Sequence, residues 1–262
     1  MGRNVLVTGS SHGIGAAVAI AFAKQGDNVG ITYLKSPEGA KAVQAECLKY
    51  GVDAQIFQVD LSVRSQCEKL MQDFLAHYET IDVLINNAGG ALQIPRGEFE
   101  DMPLDYWDSQ IALNLNACAY CAHAAVENMK KHKIPGRIVN ISSVHGSVTW
   151  VKRKMLPYCA ATAGLDMLTK SLAVEVAPYG IRVNGIAPGF FVTNQNRALL
   201  FTEDGKPTAR TEKILAATPM KKFGEIDDLI GTLLWLSSDE ASGFVTGITV
   251  PVDGGFLTLS GV

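Results

Sequence analysis

A glycine-rich run, Thr8-Gly9-Ser10-Ser11-His12-Gly13-Ile14-Gly15, follows the apolar segment Asn4–Thr8 and opens a helix-period segment at Ala16. Glycines at 9, 13 and 15 let the backbone turn tightly and approach a ligand, and the free amides at a helix start attract negative charge. With Ser11, His12 and Ile14 between them, these residues form a seat for a phosphate or pyrophosphate. A glycine cluster alone would mark only a tight turn. The strand before it and the helix after it make it a candidate dinucleotide site.

A dinucleotide seated there sends its adenosine ribose towards a residue about 20 positions on, at the end of the second strand, where an acid would read both hydroxyls of an NAD ribose. That position is Tyr33, and Lys35 follows it. Together with His12 they offer donors and no carboxylate to a 2′-phosphate, so NADP(H) is expected in preference to NAD(H). His12 and Lys35 also have a plain reading as solvated turn residues. A second chemical group is Tyr158, in Tyr158-Cys159-Ala160-Ala161-Thr162. A phenol with a solution pKa of about 10 exchanges a proton at pH 7 only with help from a nearby positive charge. The residue four positions on lies one helical turn away on the same face, and here it is the uncharged Thr162.

The elements that must position these groups alternate along the chain. Strand-like runs occur at Asn4–Thr8, Val29–Tyr33, Ala54–Val59, Val83–Asn86, Arg137–Ile141, Arg182–Ile186 and Thr249–Val252, and helix-period segments lie between them, among them Ala16–Gln25, Gln66–His77, Ala117–Lys131, Cys159–Ala177 and Asp227–Ser237. This predicts an α/β fold: a single-domain, Rossmann-type doubly wound parallel sheet with helices on both faces, spanning 1–262. In such sheets the ligand lies beyond the carboxyl ends of the strands. The longest irregular stretch, about 190–213, is expected to cover the substrate site.

With 262 residues, 47% of them hydrophobic, and no Pro- or Gly-rich linker, one core is the economical reading. A formal net charge of −3 argues against nucleic acid or an anionic membrane as partner and for a small soluble molecule. The first residues enter a strand-like run with no apolar signal region, so a cytoplasmic location is expected. The five cysteines, Cys47, Cys67, Cys118, Cys121 and Cys159, are scattered through helix-like segments and suit reduced thiols. Cys118 and Cys121 have redox-motif spacing but sit inside a predicted helix, which favours buried small hydrophobes. No metal site is expected.

Four more motifs follow in order: Asp60-Leu61, Asn86-Asn87-Ala88-Gly89, Ser142-Ser143 and Pro188-Gly189. With Thr8–Gly15 they resemble the short-chain dehydrogenase/reductase family, from Val5 to Val252-Asp253-Gly254-Gly255. The resemblance implies that Asp60 and Leu61 contact adenine. It places Asn87, Ala88 and Gly89 along the adenosine ribose, and Pro188, Gly189 and Thr193 around the nicotinamide. In catalysis it implies that Ser143 holds the substrate oxygen, Tyr158 exchanges a proton with it, and Asn114 kinks its helix and holds a water of the proton relay. Two hydroxyls aimed at one oxygen would stabilise the charge that develops there during hydride transfer. It also implies a homotetramer.

The same family carries a lysine where this chain has Thr162. Lowering a phenol by three pKa units takes about 4 kcal/mol at ~1.36 per unit, so a rate deficit of ~10²-fold or more against a lysine variant is expected. Lys152, Arg153 and Lys154 are candidate substitutes, although such a charge run ordinarily marks a solvated loop, and Lys170 lies three turns along the helix. For the substrate, the C-terminal half resembles the family's fructuronate (mannonate-type) reductases and gluconate dehydrogenases. Gln195, Asn196 and Arg197, with Arg153 as a second cation, are candidate readers of a polyhydroxylated keto acid. The N-terminal half instead resembles glucose dehydrogenases and 3-oxoacyl-carrier-protein reductases, for which Lys130, Lys131 and Lys133 would be the docking patch. A protein that binds NADP(H) with little catalysis is the remaining alternative.

Overall fold

Residues 2–91, 98–149, 155–193 and 196–259 are described in the computed structural model of the chain. Seven strands form one sheet: β1 (Asn4–Val7), β2 (Asn28–Tyr33), β3 (Ala54–Gln58), β4 (Val83–Asn86), β5 (Arg137–Ile141), β6 (Arg182–Pro188) and β7 (Thr249–Val252). All pairings are parallel, in the order β3-β2-β1-β4-β5-β6-β7. Each strand sits on one of the apolar runs read from the sequence, with ends differing by at most two residues.

Alternation along the strands supplies two cores. Val5 and Val7 of β1 join Val29, Ile31, Val83, Ile85 and Val139 on one face. There they meet Val18 and Phe22 of α1 (Gly13–Lys24), Val43 of α2 (Pro37–Leu48) and Leu229 and Leu233 of a later helix, Ile226–Leu236. Leu6, Leu84 and Ile138 point to the other face, against Met71 and Phe74 of α3 (Arg64–Tyr78). Removing Phe22 or Phe74 wholly from water, as here, is worth about 1.5–3 kcal/mol each.

The helix α4 (Leu104–Ile111) passes through a π-helical turn, Ala112–Asn116, into α5 (Ala117–His132). Cys118 and Cys121 are therefore buried inside a continuous helical run, as expected, and burial pushes the Cys118 thiol up to about 12. α6 (Leu156–Val176) carries Tyr158 in its first turn.

The stretch read as irregular from Phe190 to Lys213 is broken by α7 (Arg197–Leu200), and α8 (Ala209–Ala217) begins within it. The helix-start signal missed there is Thr208, whose hydroxyl caps α8 by accepting from the Thr211 amide. α9 (Ile226–Leu236) and α10 (Asp239–Ser242) complete the chain of helices. Among the described residues no helix is long and apolar enough to cross a membrane.

β1 is flanked by β2 on one side and β4 on the other. The chain winds from β1 out to β3, then returns through α3 to the opposite side. Loops leaving β1 and β4 consequently diverge, and a crevice opens at their carboxyl ends.

Candidate active site

That crevice is a cleft of about 1070 Å³. Its walls bring together Gly9, Ser11, His12, Gly13, Ile14, Gly15, Tyr33, Lys35, Asp60, Leu61, Asn87, Ala88, Gly89, Pro188, Gly189 and Thr193, the residues expected around a dinucleotide. Asn114, Ser143, Tyr158 and Thr162 line the same cleft.

At the β1–α1 turn the conformation demands glycine. Gly9 has φ +65, and a Cβ there would stand 2.8 Å from the Ala88 Cα. At Gly15 a Cβ would stand 2.4 Å from the Gly9 carbonyl oxygen and 2.5 Å from Asn87 Nδ2. The β1 and β4 loops are bonded to each other across the crevice. Thr8 Oγ1 accepts from the amides of Asn87 (2.9 Å) and Ala88 (3.0 Å), while Asn87 Nδ2 donates to the carbonyls of Thr8 (2.8 Å) and Gly9 (3.1 Å). His12 occupies the position before α1 without capping it through its side chain, and its Nδ1 shares a hydrogen bond of 2.9 Å with Ser11 Oγ. At the β3 end, Asp60 Oδ1 accepts from the backbone amide and hydroxyl of Ser62 at 3.0 and 2.6 Å.

Asn114 sits in the π-helical turn, where one extra residue swings its side chain out of register with the helix. Its Oδ1 accepts from the Gly90 amide at 2.7 Å, and its Nδ2 donates to the Gln110 carbonyl at 3.0 Å. Gly89 is held so close that a Cβ would meet Asn114 Oδ1 at 2.7 Å. The asparagine thus ties the helix distortion to the loop that follows β4.

Ser143 leaves β5 and caps a short 3-10 turn, Val144–Gly146, by accepting from the His145 amide. Tyr158, half-buried, lies beside it. Burial pushes the phenol above its ordinary value, a hydrogen bond with Ser143 pulls the other way, and the neighbouring Cys159 adds to the rise. Among the described residues no cation acts on the phenol. Lys170 bears instead on Asp166, whose carboxyl is raised by burial and lowered by hydrogen bonds from Ser142 and Thr249 and by that charge. Thr162, 2% exposed, turns its hydroxyl back on its own helix, donating to the carbonyls of Tyr158 (2.9 Å) and Cys159 (3.2 Å). A Thr Oγ1 in a helix has a carbonyl waiting one turn back, which explains this orientation.

The sequence candidates for substrate reading fare differently. Arg153 and Gln195, with Lys152 and Lys154, lie outside the described residues. Asn196 lines the cleft, yet its amide is committed to the backbone: Oδ1 accepts from the Thr193 amide at 2.8 Å and Nδ2 donates to the Phe191 carbonyl at 2.7 Å. Arg197 is not among the residues lining the cleft, and its guanidinium lies 5.6 Å from the centre of the Phe201 ring. Among the described residues, the cation that lines this end is Arg210, in the first turn of α8. His145, also unforeseen, packs edge-on to Tyr158 at 6.3 Å and to Phe190 at 6.0 Å, with its Nδ1 donating to the Val148 carbonyl at 3.3 Å.

This geometry can hold a dinucleotide along the crevice and present two hydroxyls to one oxygen beside it. Comparison with known proteins agrees. A family model described as enoyl-(acyl carrier protein) reductase matches residues 9–257. The chain belongs to the short-chain dehydrogenase/reductase family.

Two relatives of this short-chain dehydrogenase/reductase come from Bacillus subtilis (strain 168). One is the uncharacterized oxidoreductase UxuB, 38% identical over 100% of this chain and 97% of that protein. The other is glucose 1-dehydrogenase 2, 36% identical over 97% of this chain and 94% of that one. A solved structure of a Haemophilus influenzae protein, described as a D-mannonate oxidoreductase with bound NAD, superposes with a TM-score of 0.90 at 32% identity, covering 99% of this chain and 96% of that one. As a short-chain dehydrogenase/reductase the chain is an oxidoreductase of the kind that works with NAD(P) on alcohol and carbonyl carbons.

Proposed function

We propose that the chain interconverts a secondary alcohol and a ketone in a sugar or sugar acid, with NADP(H) preferred over NAD(H). The observation that carries this reading is the convergence of Ser143 and Tyr158, hydrogen-bonded to each other, on a cleft that also holds the glycine turn and Pro188-Gly189. When bound, the nicotinamide supplies or accepts the hydride. In reduction Ser143 holds the carbonyl oxygen, and Tyr158 gives its proton to that oxygen as the alcohol forms. In oxidation the tyrosinate takes the proton back. Asn114 keeps the π turn and the Gly89-Gly90 loop in register around them, and the segment 190–213 covers the substrate.

The sugar reading draws on the glucose dehydrogenase relative and on the mannonate description of the Haemophilus structure. The 3-oxoacyl-carrier-protein alternative is not favoured. Of the lysines suggested for carrier docking, Lys130 stacks on the Tyr179 ring at 3.8 Å and, with Lys131, lies in the last turn of α5, where the helix dipole already accounts for it. The NADP(H) preference draws on Tyr33, Lys35 and His12 along the adenosine end, where Asp60 is the single carboxylate among the described lining residues and one of its oxygens is held by Ser62.

Turnover of ketoaldonates, ketoses and a short 3-oxoacyl ester with each cofactor tests the reading. Reduction of the sugar-type ketones with NADPH, and tighter binding of NADPH than NADH, are expected. Turnover of the 3-oxoacyl ester alone overturns the substrate, and equal or tighter NADH binding overturns the cofactor preference.

The same reading includes a homotetramer. Met167 and Val174 on α6 are 59% and 77% exposed, and Phe244 is fully so, an apolar surface that assembly would cover. A light-scattering mass of one chain in dilute solution would rule it out.

A further inference from the structure

α4 and the π turn that continues it bury a strip of polar side chains, Tyr106, Gln110 and Asn114. Gln110 is wholly shielded from solvent, and among the described residues neither its Oε1 nor its Nε2 has a hydrogen-bond partner. Its backbone is engaged, for its carbonyl accepts from Asn114 Nδ2 at 3.0 Å. Ser109, Leu113 and Asn114 line the cleft and Gln110 does not, so its amide lies behind that wall.

On the other side of the strip is α6, against which α4 and the π turn both pack. Tyr106 is close enough to Cys159 for that thiol to join burial in raising its phenol. Further along the seam, a Cβ on Gly164 would stand 3.1 Å from Leu115 Cδ2. Gln110 lies between Tyr106 and Leu115, next to the opening turns of α6 that carry Tyr158 and Thr162.

An amide enclosed without partners forfeits its hydration and gains nothing in return, so a leucine or methionine would hold the two helices together better. The amide gains its sense from a small molecule that both donates and accepts. Water is such a molecule, and Gln110 offers it an acceptor and two donors. Beside this cleft a held water has a use. Each reduction takes a proton from Tyr158, the phenolate must regain one, and Thr162 supplies no ammonium to pass it on. Asn114 bridges the two regions, bonded to Gln110 on one side and lining the cleft with Tyr158 on the other.

We propose that Gln110 is a positioning residue for proton transfer, holding a water between α4 and α6, beside Asn114, through which Tyr158 is reprotonated after each reduction. The phenolate takes a proton from this water, the water regains one from bulk solvent, and one solvent proton is consumed per carbonyl reduced. The proposal rests on the role of Tyr158 given above and extends it to a residue outside the cleft.

The water is tested without turnover, by diffraction from crystals of the unliganded full chain at a resolution that shows ordered waters. A water within hydrogen-bonding distance of Gln110 Oε1 or Nε2 is expected, and an amide that stays dry overturns the proposal. Its role is tested with Gln110→Leu on the sugar-type ketones. The melting temperature should be unchanged or higher, NADPH affinity and KM unchanged, and kcat for reduction lower by about tenfold or more. Added imidazolium, a far stronger acid than water, should restore the rate of Gln110→Leu as its concentration rises and leave the unsubstituted chain as it was. A lost packing contact would show no such rescue. Full kcat in Gln110→Leu, or a loss that imidazolium does not repair, overturns the proposal and leaves the role of Tyr158 standing. A Tyr158→Phe chain that reduces as fast as the unsubstituted one overturns both together.

Discussion

Replacing Thr162 by lysine is expected to raise kcat by about 10²-fold or more, with the larger gain in the oxidative direction. This chain holds the Tyr158 phenol above its ordinary value because burial outweighs the Ser143 hydrogen bond and, among the described residues, no cation opposes it. The sign of the pH dependence follows. A raised phenol pKa keeps the proton on, so the acid needed for reduction is present throughout pH 6–9 and that direction should be nearly flat. The base needed for oxidation is scarce at pH 7 and grows with pH until above about 10.

An ammonium one turn along α6 favours tyrosinate, so the Thr162→Lys oxidation profile should level off at distinctly lower pH. Thr162 lines the cleft, which gives the lysine stem space, and the hydroxyl it replaces bonds only to carbonyls of its own helix. Initial rates of both chains over pH 6–11 decide the matter. Equal rates and superimposable profiles would mean that Tyr158 is activated by another route.

Tyr158→Phe in the Thr162→Lys background is expected to cost between about 10² and 10⁴ in kcat, the usual worth of a positioned acid or base. NADPH affinity should be preserved, since the phenol acts on the substrate oxygen. In the natural chain the same substitution should cost much less, because an unactivated phenol has less to lose. The two substitutions are therefore strongly non-additive, and a double-mutant cycle on kcat, with NADPH binding followed by titration, measures that coupling. Simple additivity would mean that residue 162 does not act through Tyr158.

Much of this site could be read before any coordinates. The strands were legible because a parallel sheet buries both faces and leaves continuous apolar runs, as in Val5-Leu6-Val7 and Val83-Leu84-Ile85. The residues proposed for the cofactor line one cleft because each follows a strand, and strand ends converge by topology. The substrate side was less so. Arg197 and Arg210 lie in the same long segment, and spacing alone does not say towards which side a one-turn helix presents an arginine. Asn196 looked like a reader of hydroxyls, yet its amide is spent bridging Phe191 and Thr193. His145 carried no signal beyond its place two residues after Ser143; its packing on Tyr158 and Phe190 is a tertiary fact. The start of α8 did leave a trace in Thr208, a good capping residue after Pro207.

The mutual bonding of the loops after β1 and β4 bears on the order of events. Thr8 and Asn87 lock the glycine turn to the ribose-side loop with four hydrogen bonds, and Asn114 clamps Gly90 from beyond. A dinucleotide arriving there meets walls already in place and gives up little chain entropy to bind. Its affinity then comes from direct contacts, and the crevice is ready for it before any substrate arrives. That favours a compulsory sequence in which the cofactor enters first and leaves last.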